Sequence, residues 1–129
     1  MERGYAMEHQ PITLNVLGYE DEGGGEWVAL ALEMDLRGYG ETFEMALDEL
    51  ADLVGMQISF SRFKGQPELI WKAADPIWFE RFAEVRRDYL EALVRESDLP
   101  ESKFNVAGLP IPPAHVIEAM RSGFVLAEV

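Results

Sequence analysis

The sequence predicts a single α+β domain in which a small antiparallel sheet packs against helices. Two apolar segments with a period of two, separated by a glycine-rich turn, predict a β-hairpin, and two longer segments with apolar residues at helical spacing predict helices. The chain has 129 residues, of which 48% are hydrophobic, and this is enough for one buried core. It contains neither an internal repeat nor a linker, so we expect one domain over residues 1–129.

The hairpin is predicted from two neighbouring segments. Apolar and polar residues alternate from Ile12 to Leu17, as in a strand with one buried face. The following "GYEDEGGGEW" contains three consecutive glycines and four acids, which is typical of a solvated turn. The segment "WVALALEM", residues 27–34, alternates again but is apolar on both faces for most of its length. We therefore expect the second strand to lie inside the sheet.

The segment "RGYGETFEMAL" is predicted to join a strand to a helix. Gly38 and Gly40 can take backbone conformations that are closed to other residues, so we expect the chain to turn sharply here. Thr42 is a favourable N-cap for the helix. Glu41 and Glu44 would repel a phosphate at this helix N-terminus, and the spacing fits neither common glycine-rich phosphate-binding motif. A structural turn is therefore expected.

Helical spacing predicts a first helix from Thr42 to about Lys64, whose buried face is formed by Ala46, Leu47, Leu50, Val54 and Ile58. The following "ELIWKA", residues 68–73, is predicted to be a further strand. Asp75 and Pro76 indicate the start of a second helix that continues to about Glu96. Its apolar residues are expected to pack in the core, with the alternative that part of the stripe is a dimer or partner groove; they are Trp78, Phe79, Phe82, Val85, Tyr89, Leu90 and Leu93.

The C-terminal segment is apolar and rich in proline. The sequence "FNVAGLPIPPAHVIEAMRSG" predicts a strand, a rigid connection and a short helix from about Pro113. The final "FVLAEV" predicts one more strand. Together with the second helix, these elements would form a C-terminal α/β extension over residues 75–129.

The charge of the chain argues against direct nucleic-acid binding. The net charge is −13, with thirteen acids against four Lys or Arg in residues 1–65 and eleven against seven in residues 66–129. Because proteins bind nucleic acids largely by neutralising phosphates with Lys and Arg, we do not expect such binding here. An acidic surface suits a basic protein partner. No apolar run approaches the length of a membrane span, and the N-terminus lacks the apolar core of a secretory signal, so a cytoplasmic protein is expected.

The residues that could carry chemistry are few. The chain has no cysteine, and His9 and His115 are its only histidines. Glu33, Asp35 and Glu41 lie close together in sequence and could be imagined as ligands of a two-metal nuclease. However, the first strand carries no acid to anchor such a site, and a chain with 24 acids will often place some of them together. We therefore expect no catalytic residues, no metal and no cofactor.

Residues 10–74 resemble the HicB antitoxin domain. The resemblance rests on "EWVALALEMDLRGYGETFEMALDELADLVGMQI", in which a hairpin leads through Gly38 and a short third strand to a helix start of the form G-[DE]-T-x-x-E-A-L. Gly40, Glu41 and Thr42 match this motif, as do Ala46 and Leu47. Met45 departs from it, and no proline precedes Gly38.

The resemblance implies a non-enzymatic protein with a partial ribonuclease-H-like sheet and helix. Members that act as antitoxins bind a small basic RNA-cleaving toxin, and many bind their own promoter through an appended DNA-binding module. Residues 75–129 look like neither the helix-turn-helix nor the ribbon-helix-helix module that these members use. Six acids are the natural points for steering a basic partner, namely Glu20, Asp21, Glu22, Glu33, Asp35 and Glu41.

Three hypotheses follow from these observations. In the first, the chain is a HicB-like antitoxin that covers the active surface of a basic toxin. In the second, it is a stand-alone HicB-like interaction or scaffold module that self-associates as a homo-oligomer, through an exposed sheet edge or the aromatic helix. In the third, it is a metal-dependent nuclease that uses Glu33 and Asp35.

Overall fold

The computed structural model describes residues 12–98 and 103–111 and confirms an α+β fold with a small antiparallel sheet and two helices. The predicted helix from Pro113, the final predicted strand and both histidines lie outside these residues. Neither of the two helices described is both long and apolar enough to cross a membrane. The elements are β1 (Ile12–Glu20), β2 (Trp27–Ala31), β3 (Leu36–Gly40), α1 (Phe43–Lys64), a short 3-10 helix (Pro67–Leu69), α2 (Pro76–Val94) and β4 (Phe104–Ile111).

The four strands form one antiparallel sheet in the order β3-β2-β1-β4. Val16 in β1 lies opposite Ala31 in β2 and Ala107 in β4, which defines the register of β1 with both of its neighbours. β2 lies between β1 and β3, as its apolar faces predicted. The side chains of Val28 and Leu30 are buried on one face and that of Ala29 on the other.

α1 covers one face of the sheet and begins where the sequence predicted. The Thr42 hydroxyl accepts a hydrogen bond of 3.1 Å from the Met45 N–H, so Thr42 is the N-cap. Gly65, with φ of 66°, ends the helix in the left-handed conformation that favours glycine. The buried face of the helix is the predicted one, except that Leu47 is only half-buried; its fully buried members are Ala46, Leu50, Val54 and Ile58.

α2 packs on the opposite face of the sheet, where it forms a second apolar cluster with residues of β1, β2 and β4. The helix begins at Pro76 after Asp75 as expected, although the Asp75 side chain makes no capping hydrogen bond. The cluster is formed by Leu17, Leu30, Leu32, Ala74 and Val85, with Tyr19, Trp78, Phe82, Tyr89, Phe104 and Val106 packed against it. The apolar stripe predicted for α2 is therefore only partly core, because Phe79, Leu90 and Leu93 are exposed to solvent.

Gly38 and Gly40 are needed for a reason other than the sharp turn that we predicted. Neither has a positive φ; both lie in β3, which pairs with β2. A Cβ atom on Gly38 would lie 2.5 Å from the backbone oxygen of Ala46 and 2.5 Å from the backbone nitrogen of Leu50, while one on Gly40 would lie 2.7 Å from the Ala46 nitrogen. The glycines thus allow the backbone of α1 to pack directly on β3.

The second strand is shorter than predicted. It ends at Ala31, and residues 32–35 form a turn in which Asp35 takes a φ of 53°. As a result, Met34 does not continue the face of Leu30 and instead packs with the cluster under α1. The alternation of apolar residues continues beyond Ala31 in the sequence, but the extended backbone of the strand ends at Ala31.

The prediction of a strand over residues 68–73 is wrong. The segment begins with a 3-10 helix that contains Pro67, and it then runs without regular structure to Asp75. The N–H groups of Lys72 and Ala74 donate to the carbonyls of Glu33 and Leu32, so the segment closes over the turn after β2 without joining the sheet. Ile70 and Ala74 are buried there, which explains the apolar character that suggested a strand.

Side chains cap exposed backbone groups on both edges of the sheet. On β3, the Tyr39 N–H donates to the Glu49 carboxylate at 2.5 Å. On β4, the Val106 N–H donates to the side chain of Asn105 at 2.9 Å, and the Phe104 carbonyl accepts from the Tyr89 hydroxyl at 3.1 Å. Such caps oppose edge-to-edge pairing with another strand.

The packing of α1 on β3 predicts that Gly38→Ala is strongly destabilising. Because the new methyl group would meet backbone atoms, which cannot move aside cheaply, we expect the free energy of unfolding to fall by about 3 kcal/mol in urea denaturation. Gly23→Ala is the matched control, since a Cβ at Gly23 meets nothing within 4 Å. It should change the free energy of unfolding by less than about 0.5 kcal/mol. Equal effects of the two substitutions would contradict this packing.

Candidate protein-binding cleft

A cleft of 590 Å³ lies between the tip of the β1–β2 hairpin, the start of α2 and the start of β4. The register of the sheet creates it, because Tyr19 in β1 lies opposite Phe104 in β4 and α2 crosses above both. The cleft is lined by Tyr19, Glu20, Asp21, Glu22, Ile77, Trp78, Arg81, Lys103 and Phe104. Aromatic rings and charges of both signs therefore meet at one end of the sheet.

Three aromatic rings form the floor of the cleft. Tyr19 and Trp78 are stacked, with ring centroids 5.0 Å apart and planes inclined by 19°. The guanidinium of Arg81 lies 4.8 Å from the centre of the Phe104 ring. Ile77, which is 59% exposed, adds an apolar side chain at the rim. Stacking of two rings stabilises a fold by about 1 kcal/mol in addition to the effect of the apolar area that they bury. The stacking therefore holds Tyr19 and Trp78 in place before any partner binds.

Arg37 holds the stacked pair from the β3 side. Its guanidinium lies 5.7 Å from the centre of the Trp78 ring, its Nε donates to the Tyr19 hydroxyl at 3.4 Å, and it pairs with Asp35 at 3.1 Å. Burial acts to lower the pKa of Arg37, but the contacts with Tyr19 and Asp35 outweigh it and raise the pKa above its ordinary value. These contacts join Arg37 to both rings of the stacked pair and to Asp35.

Four of the six acids predicted to bind a partner share the hairpin end of the sheet. Glu20, Asp21 and Glu22 line the cleft directly. Glu41 follows Gly40, which lies opposite Trp27, so it stands at the same end of the sheet and is exposed. Lys103 lies beside the acids, and its carbonyl accepts from the Glu20 N–H at 3.1 Å.

The other two predicted acids lie at the opposite end of the sheet and have partners within the chain. Glu33 accepts hydrogen bonds of 3.0 and 2.9 Å from the backbone and side-chain nitrogens of Asn15, next to the end of β2. Asp35 pairs with Arg37 at 3.1 Å and with Lys72 at 3.9 Å. Glu33 and Asp35 are thus separated from Glu41 by the length of the sheet. Across residues 12–98 and 103–111, no three His, Cys, Asp or Glu residues are grouped as metal ligands.

The sequence predicts the acids of this end but only part of what gives the cleft its shape. It predicts that Trp78 packs in the core, with a partner groove as the alternative, and Trp78 both packs against the second apolar cluster and lines the cleft. It predicts no role in a site for Arg81 or Phe104. No local pattern marks these three, because they come from α2 and β4 and meet the hairpin only through the fold. The one available signal was the unusual density of aromatic residues at the start of the second helix.

Comparisons with protein-family models, with curated proteins and with solved structures find no match for this chain.

The aromatic floor predicts unequal effects of two neighbouring substitutions in α2. Trp78→Ala removes the ring that stacks on Tyr19 and packs on the second cluster, so we expect a loss of about 2 kcal/mol in the free energy of unfolding. Phe79→Ala, at a position exposed to solvent, is the control and should cost less than about 1 kcal/mol. Thermal denaturation followed by circular dichroism compares the two. A larger effect of Phe79→Ala would contradict the packing described for the cleft.

Proposed function

We propose that this chain is a non-enzymatic, cytoplasmic protein-binding protein of the HicB-like type, which neutralises a small basic RNA-cleaving toxin. The order of hairpin, short third strand and helix supports a HicB-like core in residues 10–74. The residues between β3 and α1 support it further, because Gly38 and Gly40 allow α1 to pack closely on β3 and Thr42 caps the helix. In this proposal the remainder of the chain is an extension that packs on the core.

The observation that carries the proposal is the acidic rim above the aromatic floor. Glu20, Asp21 and Glu22 stand beside the stacked rings of Tyr19 and Trp78. A Lys or Arg side chain of a partner could lay its apolar stem on the rings while its charged end meets the carboxylates. The cleft is therefore suited to a basic protein surface.

The net charge of −13 acts in the same direction at longer range. A negative surface raises the rate at which a basic protein is encountered, and acids at the rim of a cleft orient that encounter. Binding of this kind weakens with added salt, because exposed charges are screened over about 8 Å at physiological ionic strength. Neutralisation would follow from covering the active surface of the toxin, with no chemistry contributed by this chain.

The proposal also gives the extension a role. α2 and β4 supply one wall of the cleft through Trp78, Arg81 and Phe104. The wall is held in place by Tyr89 of α2, whose hydroxyl donates to the Phe104 carbonyl. In this proposal the extension completes a protein-binding site, in the position where other family members carry a DNA-binding module.

The test first asks whether a small basic protein is encoded beside this chain, since its absence would contradict the proposal, and then uses that protein with a double charge reversal, Asp21→Lys with Glu22→Lys. We expect the reversal to weaken binding on the order of a hundredfold in calorimetry at low salt, because two attractive contacts become repulsive. The reversed protein should also fail to inhibit RNA cleavage at concentrations where the natural chain inhibits it. The control is Glu91→Lys, a reversal at an exposed site in the last turns of α2.

Two further results would contradict the proposal. The first is that the natural chain neither binds the neighbouring basic protein nor inhibits RNA cleavage by it. The second is that Glu91→Lys weakens binding as much as the double reversal does, since the acids of the cleft would then have no special role.

A specific observation also favours the second hypothesis, a stand-alone module that self-associates. Both helices expose large apolar side chains to solvent, among them Phe63 and Leu93. The capped edges of the sheet oppose the route through edge pairing that we considered first. Self-association would therefore involve the helices.

A further inference from the structure

We infer that this chain associates head-to-tail with copies of itself, the outer face of α1 in one copy packing on a stripe of α2 in the next. The two helices lie on opposite faces of the sheet, and each presents apolar side chains interrupted by charge. Both helices carry more acids than Lys and Arg, but the charge within the stripe of α2 is the single cation Arg86, whereas the charges within the stripe of α1 are negative. This inference rests on the second hypothesis, self-association, and names the surfaces that meet. It does not depend on the proposed binding of a toxin, because the cleft uses other residues.

The outer face of α1 is acidic and apolar. Residues 43–61 contain four acids and no Lys or Arg, while Arg62 and Lys64 flank Phe63 in the last turn of the helix. Met56 is 65% exposed and Phe63 is 85% exposed, although both side chains are large and apolar. We call this face the acidic stripe of α1; its members recur at steps of three, four or seven residues and are Met45, Asp48, Asp52, Met56 and Phe63.

A stripe of α2 is basic and apolar. Leu90 and Leu93 are 51% and 62% exposed, and Arg86 stands between them and Phe79. We call this face the basic stripe of α2; its members follow the alternating steps of four and three that bring residues to one side of a helix, and they are Phe79, Ala83, Arg86, Leu90 and Leu93. Ile77 and Arg81, which line the cleft, lie on the other side of the helix.

The charges in the two stripes have no partners within the described parts of the chain. Among residues 12–98 and 103–111, none of the ion pairs involves Asp48, Asp52 or Arg86. Self-pairing of α2 through its basic stripe would set Arg86 against Arg86 of the second copy in the middle of an apolar contact. Like charges so placed cost several kcal/mol, so the stripe requires an acidic surface opposite it.

The acidic stripe of α1 supplies that surface in a matching register. When α1 and α2 are aligned in parallel, Phe79 lies opposite Met45, Arg86 opposite Asp52 and Leu90 opposite Met56, each pair being separated by the same 34 positions in the sequence. Two apolar pairs then form and the one cation meets an acid, while Ala83 lies opposite Glu49 and Leu93 opposite Ser59.

An antiparallel alignment that also pairs the apolar residues would place Arg86 opposite Glu49. The Glu49 carboxylate is already occupied, since it accepts from the Tyr39 N–H at the edge of the sheet. The parallel alignment is therefore the better match. Because the two stripes belong to opposite faces of the molecule, each contact leaves a free stripe at both ends of the assembly, and copies can add in a row or close into a ring.

The test uses two charge reversals, Asp52→Arg and Arg86→Glu, followed by sedimentation velocity over a range of protein concentration and salt. We expect the natural chain to show a mass above the monomer that grows with concentration and falls with salt. Each single reversal should raise the dissociation constant on the order of a hundredfold and leave a folded monomer. Glu91→Arg, on another side of α2, is the control and should assemble like the natural chain.

Mixing the two reversed proteins is the decisive step. Asp52→Arg retains an intact basic stripe and Arg86→Glu retains an intact acidic stripe, and their two reversed stripes again carry opposite charges. An equimolar mixture should therefore assemble again, with the two variants alternating along the row. A single chain carrying both reversals restores opposite charges and should assemble again. Circular dichroism of each variant checks that it is folded.

Three outcomes would overturn the inference. One is a natural chain that stays monomeric at all concentrations. Another is that only one of the two single reversals gives a monomer, as a symmetric contact of one helix with itself would produce. The third is a monomeric natural chain in which Asp52→Arg weakens binding of the basic partner, which would assign the acidic stripe to that partner.

Discussion

The architecture depends on how closely the start of α1 approaches the sheet. Gly18, Gly38 and Gly40 leave a depression on one face, and the ring of Phe43 lies where a side chain on Gly18 would stand. Ala46, the next buried residue of the helix, is itself small and fully buried. The backbones of helix and sheet can therefore meet without intervening side chains, and the direction of α1 is fixed at its first turn.

This close contact determines where the rest of the chain can pack. With α1 on one face, β2 must bury apolar side chains on both sides, and its other face requires a second cover. The segment after α1 closes over the turn that follows β2, and α2 then packs on Leu17 and Leu30. Because α2 begins above the hairpin end, Trp78 meets Tyr19 there and the cleft is formed as a consequence of packing.

Much of the fold could be predicted because its signals are local. The cap at Thr42, the start of α2 at Pro76 and the buried face of α1 each depend on residues a few positions apart. The strand predicted at residues 68–73 failed because Ile70 and Ala74 are buried by the turn after β2, and a short apolar segment looks the same whether a strand or a loop buries it. The cleft depends on Tyr19 lying opposite Phe104, a pairing set by the whole sheet.

Gly38 and Gly40 show, within one motif, the same difference between a local signal and a feature that depends on the whole fold. Their presence at the joint was evident from the sequence, but the reason for them was not. Conformational freedom and close approach both require glycine, and only the position of Ala46 and Leu50 above β3 decides between the two. The structure therefore confirmed the role of Thr42 and replaced the explanation of Gly38 and Gly40.

α2 connects the two proposals. One side of this helix supplies Trp78 and Arg81 to the cleft, and another carries Arg86 and Leu90 in the basic stripe. The two surfaces do not overlap, so a partner in the cleft leaves the stripe accessible. If both proposals hold, a head-to-tail assembly presents several clefts in a fixed repeat, and a multivalent basic partner would bind it more tightly than it binds one copy. α2 would then determine both which partner the cleft binds and how many copies of this chain bind that partner together.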